Sequence, residues 1–237
     1  MNNVNVLLIV PCYNEENRLK LDEFKKYSSS ISFLFANDGS QDRTEQLIKP
    51  VVNNEEIYLY TTNINKGKAQ VVFDAYNYAK SEKILEKYDW VGYWDADLAT
   101  PLWEVENMLK LAISQQADSV WGSRVSRLGS NIQRSKIRHY LGRAFATIAS
   151  FILKVSSYDS QCGAKIFSLE CSQKAFDSRF ITNWVFDIEI LIKIQHKKII
   201  EYPLLEWTDV PGSKVNFTKD LPRVLGDLFK LWKKYIN

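Results

Sequence analysis

The chain has 237 residues, 46% hydrophobic and 25% charged, which is enough apolar material for one compact core; a net charge of +3 is too mild to mark a nucleic-acid binder. Cys12, Cys162 and Cys171 are odd in number, with no paired metal-type spacing and no disulfide pattern, so a reducing cytoplasm is expected. No apolar run reaches the roughly 18 residues of a membrane span, and the N-terminal run reads as a first strand rather than a leader.

Strand and helix alternate through the first half. Val4 to Val10 is predicted as a strand stopped by Pro11, and residues 14–27 as a polar helix with Leu19, Leu21 and Phe24 available for a buried face. Ile31 to Ala36 is a second buried strand, ending in Asn37-Asp38-Gly39-Ser40. A helix over Thr44 to Val52, a strand over Ile57 to Tyr60 and a long helix over Lys68 to Leu85 follow. The strand Trp90 to Trp94, a helix over Leu102 to Ser114 and a strand over Ser119 to Trp121 complete the pattern. It predicts an α/β fold with right-handed crossovers onto a mostly parallel sheet, with helices on its faces and functional loops at the strands' carboxyl ends. No Gly-X-Gly-X-X-Gly follows the first strand, which argues against a dinucleotide-binding oxidoreductase.

The second half is less regular. Arg124 to Lys136 reads as a basic mobile loop, Ile137 to Val155 as a helix, Gln161 to Phe167 as a returning strand and Asn183 to Gln195 as a helix. Ile199 to Trp207 is expected as a strand and Lys219 to Ile236 as a terminal helix. Leu221, Val224, Leu225, Leu228, Phe229, Trp232 and Tyr235 recur there at helical spacing, with Arg223, Lys230, Lys233 and Lys234 for the polar face. Such a helix lies on a core or on a membrane surface.

The chemistry concentrates at strand ends. Asp95 and Asp97 sit one residue apart where an apolar strand stops, and two carboxylates beside buried hydrocarbon need a cation to offset repulsion and lost hydration. A divalent metal carrying a diphosphate meets that need. A nucleotide diphosphate sugar also offers a base edge and a ribose diol. Pro11 ends the first strand, Tyr13 can pack on a base, Glu15 can accept from ribose or base, and Asp38, in a turn tightened by Gly39, suits a base N–H or a ribose hydroxyl. Lys68, at a helix start, can meet a phosphate or the base, or stay solvated. Arg124, Ser135, Lys136 and Arg138 cluster after the fifth strand and Lys214 returns late, a set of donors suited to a phosphate acceptor. His139 and His196 read as surface or packing residues.

In order and spacing, Val10-Pro11-Cys12-Tyr13-Asn14-Glu15, Asn37-Asp38-Gly39-Ser40-Gln41-Asp42, Asn65-Lys66-Gly67-Lys68 and Asp95-Ala96-Asp97 resemble family 2 glycosyltransferases. The resemblance continues through Gly122-Ser123-Arg124, Asp159-Ser160-Gln161-Cys162-Gly163, Phe186-Asp187-Ile188-Glu189 and Gly212-Ser213-Lys214-Val215, and these later blocks look most like the dolichyl-phosphate glucosyltransferase branch of the polyprenyl-phosphate sugar synthases. It implies a single nucleotide-sugar-binding domain of the GT-A type over 1–237, with 1–122 as the donor half and 123–237 as the acceptor half with the amphipathic C-terminal helix. Asp97 is then placed on Mg2+ or Mn2+, with Asp95 on the ribose or behind the metal; Ala99 stands where many mannose synthases have Gln. Arg124, Ser135, Arg138 and Lys214 are implied for the acceptor phosphate. Asp187 is implied as a catalytic residue, either a general base for an alcohol acceptor or an orienter of the donor sugar.

The activity so implied is inverting transfer of a hexose, glucose from UDP-glucose, onto a polyprenyl phosphate, by a metal-dependent enzyme held peripherally at the cytoplasmic face of a membrane. Two rivals stand beside it: transfer to a saccharide hydroxyl in capsule or lipopolysaccharide synthesis, and a non-catalytic nucleotide-sugar-binding protein. No nucleic-acid partner is expected, and the sequence leaves the oligomeric state open.

Overall fold

The computed structural model describes residues 4–210 and 217–237, without the side chains of 136–138 and 217–221. In chain order the elements are β1 (Val6–Cys12), α1 (Leu21–Tyr27), β2 (Ser32–Asp38), α2 (Thr44–Ile48), β3 (Ile57–Thr62), α3 (Lys68–Ser81), β4 (Trp90–Trp94), α4 (Glu104–Gln115) and β5 (Ser119–Ser123). Then come β6 (Asn131–Gln133), α5 (Lys136–Leu153), β7 (Ala164–Ser168), α6 (Leu169–Ala175), α7 (Phe186–Lys193), β8 (Ile199–Pro203), β9 (Glu206–Thr208) and α8 (Phe217–Tyr235). The chain is a mixed α/β fold with a large central sheet flanked by helices, as expected.

Two compact units divide the chain: Met1–Leu98 with Gly163–Arg179, and Ala99–Cys162 with Phe180–Asn237. In the first, the strand order is β3-β2-β1-β4-β7. The pairings among β3, β2, β1 and β4 are parallel, and β7 runs antiparallel to β4, with Trp94 opposite Ala164 and Trp90 opposite Ser168. Leu7, Leu8 and Ile9 of β1, Phe33, Leu34 and Phe35 of β2, and Val91 of β4 are wholly buried, the near-continuous apolar runs of strands covered on both faces. Phe24 of α1 meets Phe33 and Phe35 edge-on, each at 5.1 Å between ring centroids.

The second unit pairs β5 with β8 and β6 with β9, both in parallel. Glu104, the first residue of α4, is fully buried and accepts hydrogen bonds from Tyr202 Oη at 2.9 Å and from the backbone N–H of Leu205 and Glu206 at 2.6 and 3.0 Å. Burial, and then the Glu104 carboxylate, push the Tyr202 hydroxyl up to about 12.

Several boundaries differ from the sequence reading. The helix expected over 14–27 is reduced to α1, because Asn14 is left-handed (φ 51°) and the chain to Leu19 turns back on the Glu15 carbonyl. The 124–136 segment contains β6, whose Ile132 lies opposite Trp207. One expected strand over 199–207 is two, β8 and β9, parted where the backbone of Leu205 and Glu206 turns onto Glu104. α6 was not anticipated; Ser168 caps it by accepting the Cys171 N–H at 3.2 Å.

Candidate functional site

Because β1, β2 and β4 run in parallel, the residues after Cys12, Asp38 and Trp94 leave one edge of the first unit's sheet. This brings Pro11, Tyr13, Glu15, Asp38 and Asp95 onto neighbouring strand ends, where open α/β sheets bind ligands. The Asn14 N–H donates to Ser40 Oγ at 3.0 Å and its Oδ1 accepts from Gln41 N at 2.8 Å, so the first two loops are tied together. Glu15 is buried, and Arg18 holds its carboxylate from two nitrogens at 2.9 and 2.5 Å. The carboxylate that the sequence offers to a ribose or base already has a cation beside it.

Asp42, quoted above only as part of a motif, is a brace. Its carboxylate accepts from Thr44 N, Thr44 Oγ1 and Glu16 N at 2.9, 2.5 and 3.1 Å, and Thr44 Oγ1 accepts the Glu15 N–H at 2.8 Å. Burial raises the Asp42 carboxyl, but these hydrogen bonds together hold it below the usual carboxylate range.

Asp38 is 2% exposed, and its two oxygens accept the N–H groups of Lys66 and Gly67, each at 2.8 Å. It therefore fixes the turn into α3. Gly39 supports the same turn: its φ is 65°, and a Cβ would come within 2.7 Å of the Ile64 carbonyl carbon. Lys66 reaches on to Asp74 at 2.7 Å, which also holds Arg179 at 2.8 Å.

Lys68 opens α3, and its Nζ meets Asp95 Oδ1 at 2.5 Å. The ammonium shows that this carboxylate takes a positive partner. Tyr93, two residues before Asp95, carries Lys68 Nζ 5.7 Å and Lys165 Nζ 5.3 Å from its ring centre, and Lys165 is fully buried. Asp97 is half-buried in the turn that follows, with Leu98 left-handed at φ 52° and its N–H on the Asp95 carbonyl at 3.3 Å. Among the described residues no group of three or more His, Cys, Asp or Glu side chains is placed to hold a metal. Asp95 and Asp97 provide hard oxygens of the right chemistry, and a diphosphate would have to complete the coordination.

Gly163 decides where Asp95 can lie. Its carbonyl accepts the Asp95 N–H at 3.1 Å, and a Cβ on Gly163 would overlap the Asp95 carboxylate. Gly163→Ala is expected to displace that carboxylate and weaken UDP affinity at least about tenfold with metal present, as read by calorimetry. Unaltered UDP affinity in a folded variant would show that Asp95 has no part in nucleotide binding.

In the second unit Arg124 grips Asp159 through Nε and Nη2, both at 2.6 Å, and its backbone N–H adds a third bond at 3.0 Å. The Arg124 guanidinium also lies 5.4 Å from the Trp207 ring centre. Burial pushes the Asp159 carboxyl up, but Arg124, with Arg134 adding its charge, brings it down to about 2. Two guanidinium N–H groups that the sequence would aim at an acceptor phosphate are thus engaged. Glu201 of β8, unremarked in the sequence, accepts from Ser157 Oγ at 2.8 Å and from the Tyr158 and Asp159 N–H groups, each at 2.9 Å, and fixes the loop that carries Asp159.

Ser135 is exposed just before α5, and its carbonyl accepts the His139 N–H at 3.0 Å. The Arg138 and Lys136 side chains, and Lys214 altogether, lie outside the described residues. Asp187 is the second residue of α7 and is 5% exposed, in the first turn, where a helix favours negative charge. Two residues on, fully buried Glu189 accepts Ile181 N and Tyr235 Oη, each at 3.0 Å.

Comparison with known proteins places the chain in a family. The family model described as "Glycosyl transferase family 2" matches residues 7–176. The dolichyl-phosphate beta-glucosyltransferases of Dictyostelium discoideum and Saccharomyces cerevisiae are each 28% identical to the chain, covering 98% and 97% of it and 78% and 74% of their own lengths. Glucosyl-3-phosphoglycerate synthase from Mycobacterium tuberculosis, solved with Mn2+, UDP and glucosyl-3-phosphoglycerate, has a TM-score of 0.66 and 14% identity, over 98% of this chain and 81% of its own. The family match takes in every strand of the first unit, together with the Asp95-Ala96-Asp97 turn and Gly163. The chain belongs to glycosyltransferase family 2.

Proposed function

We propose that this chain transfers glucose from UDP-glucose to a polyprenyl phosphate with inversion at the anomeric carbon, residues 1–237 working as one catalytic domain. The observation that carries the reading is the carboxylate pair Asp95 and Asp97 at the end of β4, with Lys68 on Asp95, in a chain whose relatives are named dolichyl-phosphate beta-glucosyltransferases.

The donor set follows from the strand ends. Tyr13 packs on the uracil, Glu15 and Asp38 line the base and ribose, and Lys68 leaves Asp95 for a phosphate oxygen as the donor enters. Mg2+ or Mn2+ on Asp97, with Asp95 beside it, would neutralise charge on the departing diphosphate. The acceptor phosphate meets Ser135, Arg138 and Lys214, and Arg124, fixed on Asp159, shapes the loop leading to them. A phosphate monoester is largely dianionic at neutral pH, its second pKa being about 6, so its oxygen attacks C1 without a base. The new O–C1 bond forms as the C1–O bond to UDP breaks, and the electron pair leaves with UDP. Asp187 then has a positioning role toward the sugar.

Incubation with UDP-[14C]glucose and dolichyl or undecaprenyl phosphate tests the reading by organic-soluble label. Label that stays aqueous with every lipid but enters an oligosaccharide acceptor would replace it with the saccharide-hydroxyl reading.

The lipid acceptor calls for membrane contact, and exposed apolar side chains of the second unit support that reading. No helix among the described residues is long and apolar enough to cross a bilayer. α5 exposes Tyr140 (70%) and Phe151 (88%), and α8, packed on α5, exposes Leu225 and Phe229 (60%). Leu228 and Leu231 of α8 face inward, and Tyr235 is turned onto Glu189, so α8 is partly core and only partly free to meet lipid. Phe151→Asp with Phe229→Asp is expected to cut sedimentation with anionic liposomes at least about tenfold, since each ring would otherwise bury in the interface. Undiminished sedimentation would place the membrane contact elsewhere.

A further inference from the structure

The turn between β3 and α3, wholly within the first unit, carries two parts of the donor reading. Asp38 accepts its Lys66 and Gly67 N–H groups, each at 2.8 Å, and the next residue, Lys68, meets Asp95. Gly67 stands at φ 88°, where the backbone is free only because the residue is glycine, and α3 begins after it with no side-chain cap. Upstream the chain is pinned at Ile64, whose N–H and carbonyl both bond Thr62 Oγ1, at 3.2 and 2.6 Å. Among the described residues, the side-chain hydrogen bonds on 65–67 are those of Asp38 and those of the Lys66 ammonium.

That ammonium runs to α3 itself. The Asp74 side chain is 9% exposed and holds Lys66 Nζ at 2.7 Å and Arg179 Nη2 at 2.8 Å. The bond to Asp74 keeps the Lys66 ammonium above the usual lysine range, so the pair stays ionised. Arg179 also donates from Nη1 to Gln70 Oε1 at 3.3 Å, and its guanidinium lies 5.5 Å from the Phe73 ring centre. One face of α3 is therefore clasped twice. Lys66 reaches it from the residue before Gly67, and Arg179 from the end of the segment whose first residue, Gly163, meets Asp95.

Charge decides what the clasp does. Two cations share one carboxylate, so losing that carboxylate leaves Lys66 and Arg179 repelling each other, with water open to both. Stability suffers little, because partly exposed cations rehydrate. Position suffers more, because the released Lys66 adjoins a glycine.

We propose that Asp74, which lies outside every motif in the chain, is a positioning residue for the nucleotide: through Lys66 it sets the Lys66-Gly67 turn on Asp38 and the start of α3 that presents Lys68. The inference rests on the donor reading above. Asp74 acts through Lys66, not by contact with the donor.

The test is UDP affinity by calorimetry with Mn2+, for the full chain, Asp74→Asn, Asp74→Glu, Lys66→Met and the double variant Asp74→Asn with Lys66→Met, beside melting temperatures. Asp74→Asn should weaken UDP binding about tenfold, the scale on which a lost support behind a binding group is felt, and Lys66→Met about as much. The double variant should lose no more than either single one, since the two residues act as a unit. Asp74→Glu keeps the charge and should return to within about threefold of the parent. Melting temperatures should stay within about 3 °C, which separates a local effect from a loss of fold.

UDP affinity in Asp74→Asn within about twofold of a UDP-binding parent overturns the proposal alone, and a lowered melting temperature beside it makes Asp74 structural. Additive losses in the double variant overturn it as well, because Asp74 would then act by a route other than Lys66. A parent chain that binds no UDP overturns the donor reading and the proposal together.

Discussion

Asp97→Ala should lower glucose transfer at least about a hundredfold while leaving the melting temperature within about 2 °C of the parent, and chelation with EDTA should do the same to the unmodified chain. The side chain is half-buried in a turn rather than in the sheet, so truncating it opens no core cavity. On the proposed reading, what is lost is a negative charge where the donor's diphosphate would be neutralised. Asp97→Asn keeps the shape and removes the charge; it should be nearly as inactive, and differential scanning calorimetry beside a radiolabel assay separates fold from chemistry. Near-normal turnover in EDTA, or in either variant, would make the carboxylate pair structural.

Arg124→Ala is expected to act first on stability. It strands the buried Asp159 carboxylate, and breaking a buried ion pair from one side costs about 3–5 kcal/mol, a fall of roughly 10 °C in melting temperature for a chain of this size. Adding Asp159→Asn should recover part of that loss by removing the stranded charge. The pair also makes a pH signature. Asp159 has its carboxyl depressed in the fold to about 2 from an ordinary 3.8, so its contribution is fully present above pH 4 and disappears as pH falls toward 2. The size is about 2 kcal/mol. Denaturant titrations across that range should show the fall in the parent and not in the double variant. A single variant that keeps its melting temperature and UDP affinity but no longer uses polyprenyl phosphate would return Arg124 to the acceptor site.

Much of the donor half was legible because its signals are local. The apolar runs that become β1, β2 and β4 end in Pro11, Asp38 and Asp95, and a parallel sheet brings such ends together without further information. The partners of those residues were not legible. Asp38 finds Lys66 and Gly67, Asp95 finds Gly163, and Arg124 finds Asp159, across separations that no helical or strand period records. Buried Glu104 and Glu189 and half-buried Glu201 look like surface charges in the sequence, and only the backbone N–H groups converging on them show otherwise. β6 and β9, three residues each, are too short to carry a pattern.

β7 reaches β4 only after the whole stretch 99–162 has been made, and this sets an order of assembly during synthesis. A nascent chain that has emerged as far as Gly122 holds β1 to β4, yet Trp94 lacks Ala164 and the Asp95 N–H lacks the Gly163 carbonyl. Its β4 edge, carrying Trp90, Val91, Tyr93 and Trp94, is bare and apolar, a template for another copy rather than a nucleotide site. On the proposed reading, competence to hold a donor arrives in one late step, when β7 enters the sheet and Gly163 meets Asp95, and a ribosome-stalled half-protein is expected to bind no UDP-sugar.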